Sequence, residues 1–319
     1  MKPRIKKMVF KFIPSPLACL QALKAHQVDI MIPEPGQFVE VAKDEDFQKD
    51  FYCLSYWSPW TPYYYIGWNH DTVFFNDRRV RLAMTHLLDR QAMVQRLLKG
   101  CGKVITGPFY FKGSQSDPNI NPWRYDIARA RELLDKSGWV DSNGDGLRDK
   151  NGRKFRFRLI YSSGYSLYDQ LVRMLKAQMA RVGIEVVPEP YEWSTLLKKL
   201  RDRDFEANIA AWGGGFLQDP YSLWHSSQIG NSGCNYTGFD NRQADAIIEQ
   251  IRVTLDEDKH NKLFFRLHRI LHKQQPCTFL FTRPSLRLVD RRFKNVRIYN
   301  LGLKYHQWYV TNGKRSYMK

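Results

Sequence analysis

An α/β fold is what this sequence predicts, and three observations carry it. Apolar runs of strand length alternate with amphipathic runs of helix length in the order strand, helix, strand, once near the start and again over 155–187. Of the 319 residues, 43% are hydrophobic and 14% aromatic, which suits one large core or two smaller ones and excludes a disordered chain. No apolar run reaches the roughly 18 residues that a membrane-crossing helix needs. The first residues, M-K-P-R-I-K-K-M-V-F-K-F, are too charged for the apolar stretch of a signal peptide, so the expectation is either a protein that stays inside the cell or a piece of a longer precursor.

Taken in order, residues 8–13 (M-V-F-K-F-I) read as a strand, Pro16 opens a helix carrying Leu17, Leu20 and Leu23, and 28–32 reads as a second strand. This first unit should place both strands in one sheet with a right-handed crossover. A polar helix over 37–43 comes next, and then the aromatic segment 51–68. Along a strand there, Tyr63, Tyr65 and Gly67 point one way and Tyr64, Ile66 and Trp68 the other, so one face is expected to be core and the other a binding wall. Residues 76–88 repeat apolar positions at helical spacing after Asp77, and a further helix runs from Asp89 and Arg90 to Gly100. Gly107, Pro108 and Phe109 mark a loop, and 125–136 is amphipathic. The second unit is a strand at 155–161, a helix carrying Leu167, Leu171, Leu175 and Met179 that stops at Gly183, and a strand at 184–187. Helices over 192–200, 240–251 and 256–273 and strands over 278–282 and 286–289 complete the chain.

Between them, residues 205–211 form a short apolar run that ends in Trp212, Gly213, Gly214 and Gly215. Without side chains, the three glycines let another backbone or a ligand approach the main chain closely, with Trp212 as a flat apolar wall beside them. The alternative is a glycine-rich loop that only turns the chain.

The formal charge is +18. A basic surface that strong would mark a nucleic-acid or anionic-membrane partner if one element carried it. Instead the basic residues recur in small clusters at 2–7, 78–81, 153–158, 198–203 and 287–294, which reads as solvated faces. Cys19, Cys53, Cys101, Cys234 and Cys277 are odd in number and lack C-x-x-C spacing, so buried free thiols are expected. Asp141, Asn143, Asp145 and Asp149 have the alternating oxygens of a calcium loop, with Gly146 in the turn. Gly152 stands where the bidentate Glu belongs, so an Asx-rich turn competes with calcium binding. His268 and His272 lie four apart on one helix and are expected to be a surface pair. No G-x-S-x-G, Walker A or G-x-G-x-x-G pattern is present, and nothing in the sequence argues for an enzyme.

The segments K-M-V-F-K-F-I-P, L-Q-A-L-K-A-H-Q-V-D-I-M, Y-Y-Y-I-G-W-N, F-F-N-D-R-R-V-R-L-A-M-T-H-L-L-D-R-Q-A-M-V and W-G-G-G-F-L-Q-D-P-Y-S-L-W-H-S-S together resemble the family 5 extracellular solute-binding proteins, the peptide-type receptors of ABC importers. The resemblance runs from about residue 6 to about residue 310. It implies a periplasmic-binding-protein type II-like fold of two α/β lobes joined by a hinge, with the ligand enclosed between them. Because members are longer and start with a signal peptide, it also implies that this is a C-terminal portion: one complete lobe over 70–284, and part of a second over 1–69 and 285–319.

The same resemblance implies a binding protein without catalysis or a required cofactor, acting outside the cytoplasm. Its partners would be a peptide or peptide-like ligand, the membrane permease and the N-terminal portion of the same protein, with no nucleic acid. The ligand set would be Trp212, Gly213, Gly214, Gly215 and Phe216, with Tyr63, Tyr65 and Trp193. Peptide receptors of the family commonly place an Asp where Gly215 stands, so recognition of a free peptide N-terminus is not implied. The alternative is a basic cytoplasmic nucleic-acid-binding or sensor module on the same fold.

Overall fold

In the computed structural model, which describes residues 4–230 and 233–311, short polar side chains set where helices begin. Asp77 accepts from Arg79 N at 2.7 Å, Asp126 from Arg129 N at 2.8 Å and Asp256 from Lys259 N at 2.8 Å. The helices are α1 (Pro16–Lys24), α2 (Pro35–Val41), α3 (Glu45–Asp50), α4 (Arg78–Leu87), α5 (Arg90–Leu97), α6 (Ile127–Lys136), α7 (Ser166–Ala180), α8 (Trp193–Arg201), α9 (Tyr221–Trp224), α10 (Arg242–Val253) and α11 (Glu257–Gln274). The strands up to Asp290 are β1 (Ile30–Met31), β2 (Phe51–Tyr56), β3 (Tyr63–Trp68), β4 (Lys103–Val104), a hairpin of β5 (Asp149–Lys150) and β6 (Arg153–Lys154), β7 (Arg156–Ser162), β8 (Glu185–Tyr191), β9 (Ala207–Trp212), β10 (Cys277–Thr282) and β11 (Ser285–Asp290), and two pairs of two-residue strands follow. These elements divide into two compact units, and the chain passes between units after Thr61, Val94, Gly102 and Thr282.

The first unit holds a three-stranded antiparallel sheet in the order β1-β11-β2. Alternation along β11 sends Leu286 and Leu288 to one face, where they pack with Leu20, Leu23, Phe38 and Phe47 from α1 to α3. Val289 faces the other way, into a cluster with Phe293 and Trp308. Residues 8–13 are not the strand their alternation predicts. They take no regular structure, and Phe10 and Phe12 are 89% and 91% exposed. Alternation makes a strand only where a neighbouring edge supplies the hydrogen bonds, and among the described residues no strand pairs with this segment. The first strand, helix, strand unit is therefore reduced to α1 and β1, and β1 pairs antiparallel with β11.

The second unit is built on a six-stranded mixed sheet in the order β4-β10-β3-β9-β7-β8. The expected second unit is there: β7, α7 and β8, with the strands parallel from Arg156 opposite Glu185 to Ser162 opposite Tyr191. Gly183 ends the turn after α7 at φ +75°, and a Cβ there would lie 2.8 Å from the Gly146 carbonyl oxygen, so only glycine fits. β3 lies between β10 and β9, which is why it belongs to this unit and the division falls at Thr61 rather than at residue 69.

Both faces of β3 are buried. Tyr63 and Tyr65 join Phe279, Ile247, Phe264 and Leu267 under α10 and α11. On the other face, the rings of Trp68, Phe75 and Phe157 pack at centroid distances of 4.7 to 6.2 Å. The indole N–H of Trp68 donates to Thr278 Oγ1, which contacts Thr85 Oγ1, so the buried polar atoms satisfy one another. Arg81 and Arg90 are also buried, and their guanidiniums donate to carbonyls of Phe75, Gln275 and Phe279. Burial lowers both to about 10, which leaves them charged at neutral pH. Cys277 is buried and the other four cysteines are half-buried, all as free thiols.

Packing therefore ranks the phenylalanines. Phe157→Ala, at 1% exposure, is expected to lose about 3–5 kcal/mol of stability, whereas Phe12→Ser is expected to leave the urea midpoint unchanged. A large loss from the second variant would show that 8–13 is a core strand after all.

Candidate functional site

Strand direction in the second unit brings one set of ends together. β7, β8, β9 and β10 run the same way, so Ser162, Tyr191, Trp212 and Thr282 end on a single edge, where β3 begins at Tyr63 and β4 at Lys103. In open α/β sheets the carboxyl ends of parallel strands are where ligands bind. The segments leaving this edge expose large apolar side chains: Tyr165 after β7 (62%), Trp193 after β8 (55%) and Phe216 after β9 (59%). Tyr165 is an addition to the residues the sequence singled out.

The pairing of β9 changes along its length. It stays with β3 as far as Trp212 opposite Tyr63, but its ladder with β7 holds only Ala207 and Asn208, so beyond Asn208 its second edge is unpaired. The chain then continues through Gly213 to Leu217. Among the described residues, none of the five main-chain N–H groups from Gly213 to Leu217 donates to an acceptor in the protein. Neither Gly213 nor Gly215 has a left-handed φ, and a Cβ at Gly213 would meet nothing within 4 Å. The fold itself does not require a glycine at 213. The nearest carboxylate, Asp219, accepts from Tyr221 N at 3.0 Å and pairs with Arg252 at 3.2 Å.

The structure sorts the expected residues. Trp212 is half-buried and rests on the core cluster that contains Tyr63. Tyr63 and Tyr65 are 6% and 8% exposed, so the open wall expected of that face of β3 is instead core beneath α10 and α11, and burial pushes both phenols well above their usual range. Trp193 is the first residue of α8, two strands away from β9 in the sheet. The acidic loop does not gather its oxygens. Asp141 accepts from Gly144 N and Gly146 N, Asp145 accepts from Leu147 N and pairs with Lys154, and Asp149 accepts from Ser142 N. Among the described residues no group of three His, Cys, Asp or Glu side chains is placed to hold a metal ion, and this segment has the Asx-turn geometry.

The histidine pair is a further correction. His268 is 1% exposed, its Nδ1 accepts from Asp117 N at 3.1 Å and its Nε2 lies 3.1 Å from Thr106 Oγ1. His272 stacks on Trp123 at 5.0 Å. Helical spacing put both on one face, but that face turns inward against the loop from Thr106 to Trp123.

The family model for bacterial extracellular solute-binding proteins, family 5, middle region, matches residues 1–233. The chain belongs to this family. The oligopeptide-binding protein AppA of Bacillus subtilis is 30% identical over 285 residues, covering 88% of this family 5 chain and 51% of the relative. Its solved structure, in complex with a nonapeptide, aligns with a TM-score of 0.82 at 26% identity over 94% of this chain and 59% of that one. NikA from Brucella suis, solved with Fe(III)-EDTA, has a TM-score of 0.80 at 20% identity over 94% of this chain and 61% of that one, which speaks for the fold alone. These are periplasmic-binding-protein type II structures, and the fold is as expected. The chain spans about half the length of the curated relatives it matches.

Burial holds both His268 and His272 down to about 4, from 6.5. A lowered folded value means that protons bind the unfolded chain first, so the stability is complete above pH 6.5 and is lost as pH falls toward 4. His70 and His86, also lowered by burial, act in the same direction. The melting temperature is expected to fall between pH 6.5 and 4, and less steeply in His268→Asn. Equal slopes in the two proteins would contradict this.

Proposed function

We propose that this chain carries part of the cargo site of an extracytoplasmic solute-binding protein, that the cargo is a peptide held chiefly through its main chain, and that the loaded protein delivers it to the permease of an ABC importer. The single observation behind this is the run of five unengaged N–H groups from Gly213 to Leu217, continuing β9 at the carboxyl edge of the sheet. Main-chain pairing of an extended peptide with such a strip gives affinity that does not depend on the cargo's side chains. Trp212, Phe216, Trp193 and Tyr165 supply apolar surface for side chains of any sequence. The AppA relative, named for oligopeptides and solved with a nonapeptide, supports the cargo class. On this reading the chain acts with the additional polypeptide that its relatives contain, and neither catalysis nor a metal is required.

No carboxylate lies between Trp212 and Gln218, and Asp219 already has a cationic partner. A peptide's ammonium therefore has no buried partner to lose, and blocking it should matter little. Calorimetry with matched free and acetylated nonapeptides is expected to give affinities within about threefold of each other. Gly213→Val, whose Cβ would meet nothing within 4 Å, is expected to weaken both by at least roughly tenfold with an unchanged melting temperature. Undiminished binding by this variant would overturn the reading. A protein that ignores peptides but shifts duplex DNA at physiological salt would move it to the nucleic-acid alternative that the charge of +18 suggests.

A further inference from the structure

We propose that Gln115 is a positioning residue for the peptide strip, holding the main chain of Gln218 so that the backbone from Gly213 to Leu217 keeps a fixed course. The proposal rests on the reading of the strip given above. Gln115 is 3% exposed and lies in the loop between β4 and α6, outside any helix or strand. Its carboxamide makes both bonds that a neighbouring strand residue would make. Nε2 donates to the Gln218 carbonyl at 3.3 Å, and Gln218 N donates to Oε1 at 3.1 Å. A primary amide used this way imitates a peptide group, and the reciprocal pair fixes both position and orientation.

The loop that presents Gln115 is itself held fast. Two residues further on, Asp117 is 1% exposed: its N–H donates to His268 on α11, and its carboxylate accepts from Arg269 Nε at 2.7 Å and from Asn119 N at 3.0 Å. The support therefore runs from a core helix, through Asp117 and Gln115, to Gln218. At its other end the strip is fixed by the ladder pair of Trp212 with Tyr63. Five residues are thus held at both ends, and between those ends none of their N–H groups is engaged by another described residue, while the Gly213 carbonyl accepts from Gln218 Nε2 at 3.5 Å. Such a segment loses less conformational freedom when a ligand pairs with it than a loop anchored at one end would. The bond from Gln218 Nε2 to the Gly213 carbonyl oxygen adds a closing contact.

The test compares wild type, Gln115→Met and Gly213→Val, using a nonapeptide pool and the same pool N-methylated along its main chain. Gln115→Met keeps the volume and loses both hydrogen bonds. It is expected to leave the melting temperature within a few degrees, to speed exchange of the Gln218 amide while α11 stays protected, and to weaken the unmodified pool roughly tenfold. The N-methylated pool, which keeps its carbonyls but whose methyl groups hold an extended chain off the strip, is expected to bind both proteins equally weakly. A merely structural role would weaken both pools alike. Gln115→Asn, polar but one methylene too short to reach the Gln218 main chain, serves if the first variant does not fold. Wild-type affinity in Gln115→Met, together with loss in Gly213→Val, would overturn the role of Gln115 and leave the strip standing. Wild-type affinity in Gly213→Val would overturn the strip, and the proposal with it.

Discussion

The pairing of β3 with β9 is the interaction on which the rest of the second unit depends. Six residue pairs, from Tyr63 opposite Trp212 to Trp68 opposite Ala207, join the antiparallel half of the sheet to its parallel half. The same pairing lines up Tyr63 and Tyr65 with Ala210 against α10 and α11, and it carries β9 on to the edge after β7 has left it. Without β7 alongside, the chain from Ile209 to Trp212 has one side committed to β3 and one side open, and beyond Trp212 its N–H groups are engaged by neither neighbour. The two neighbours of β9 stop pairing at different residues, β7 at Asn208 and β3 at Trp212.

Around that ladder, several buried polar groups satisfy one another. Arg81 and Arg90 spend their guanidiniums on carbonyls, and Thr85, Thr278 and Trp68 form one chain of contacts. An unsatisfied buried donor would cost of the order of 1–3 kcal/mol, so each of these groups fixes its neighbours as firmly as apolar contact does. The five residues after Trp212 differ in being half-buried or exposed, with N–H groups that meet no acceptor among the described residues.

How much of this was legible in the sequence depends on the range of the interactions. Helices were legible because their determinants are local: Asp77, Asp126 and Asp256 cap within three residues, and the apolar stripe of α7 repeats within a turn. The parallel pair of β7 and β8 was legible for the same reason, since a strand, a helix and a strand in sequence leave one favoured handedness. The family was legible too, carried by whole segments rather than single residues, and the match over residues 1–233 bears it out. Residues 8–13 misled because alternation records a capacity to pair and says nothing of whether a partner edge exists. Tyr63 and Tyr65 misled because β3 is central and covered on both faces. His268 and Gln115 depend on contacts across 151 and 103 residues of sequence, which no spacing rule reaches.

Amide hydrogen exchange across the whole chain, with and without the nonapeptide pool, tests the central claim most directly. If the peptide pairs with the open edge, the amides from Gly213 to Leu217 exchange fast in the free protein and become protected on binding, while those of Ala207 to Trp212 change little. Peptide binding that leaves 213–217 exchanging as before, or that protects a different segment, would contradict the account.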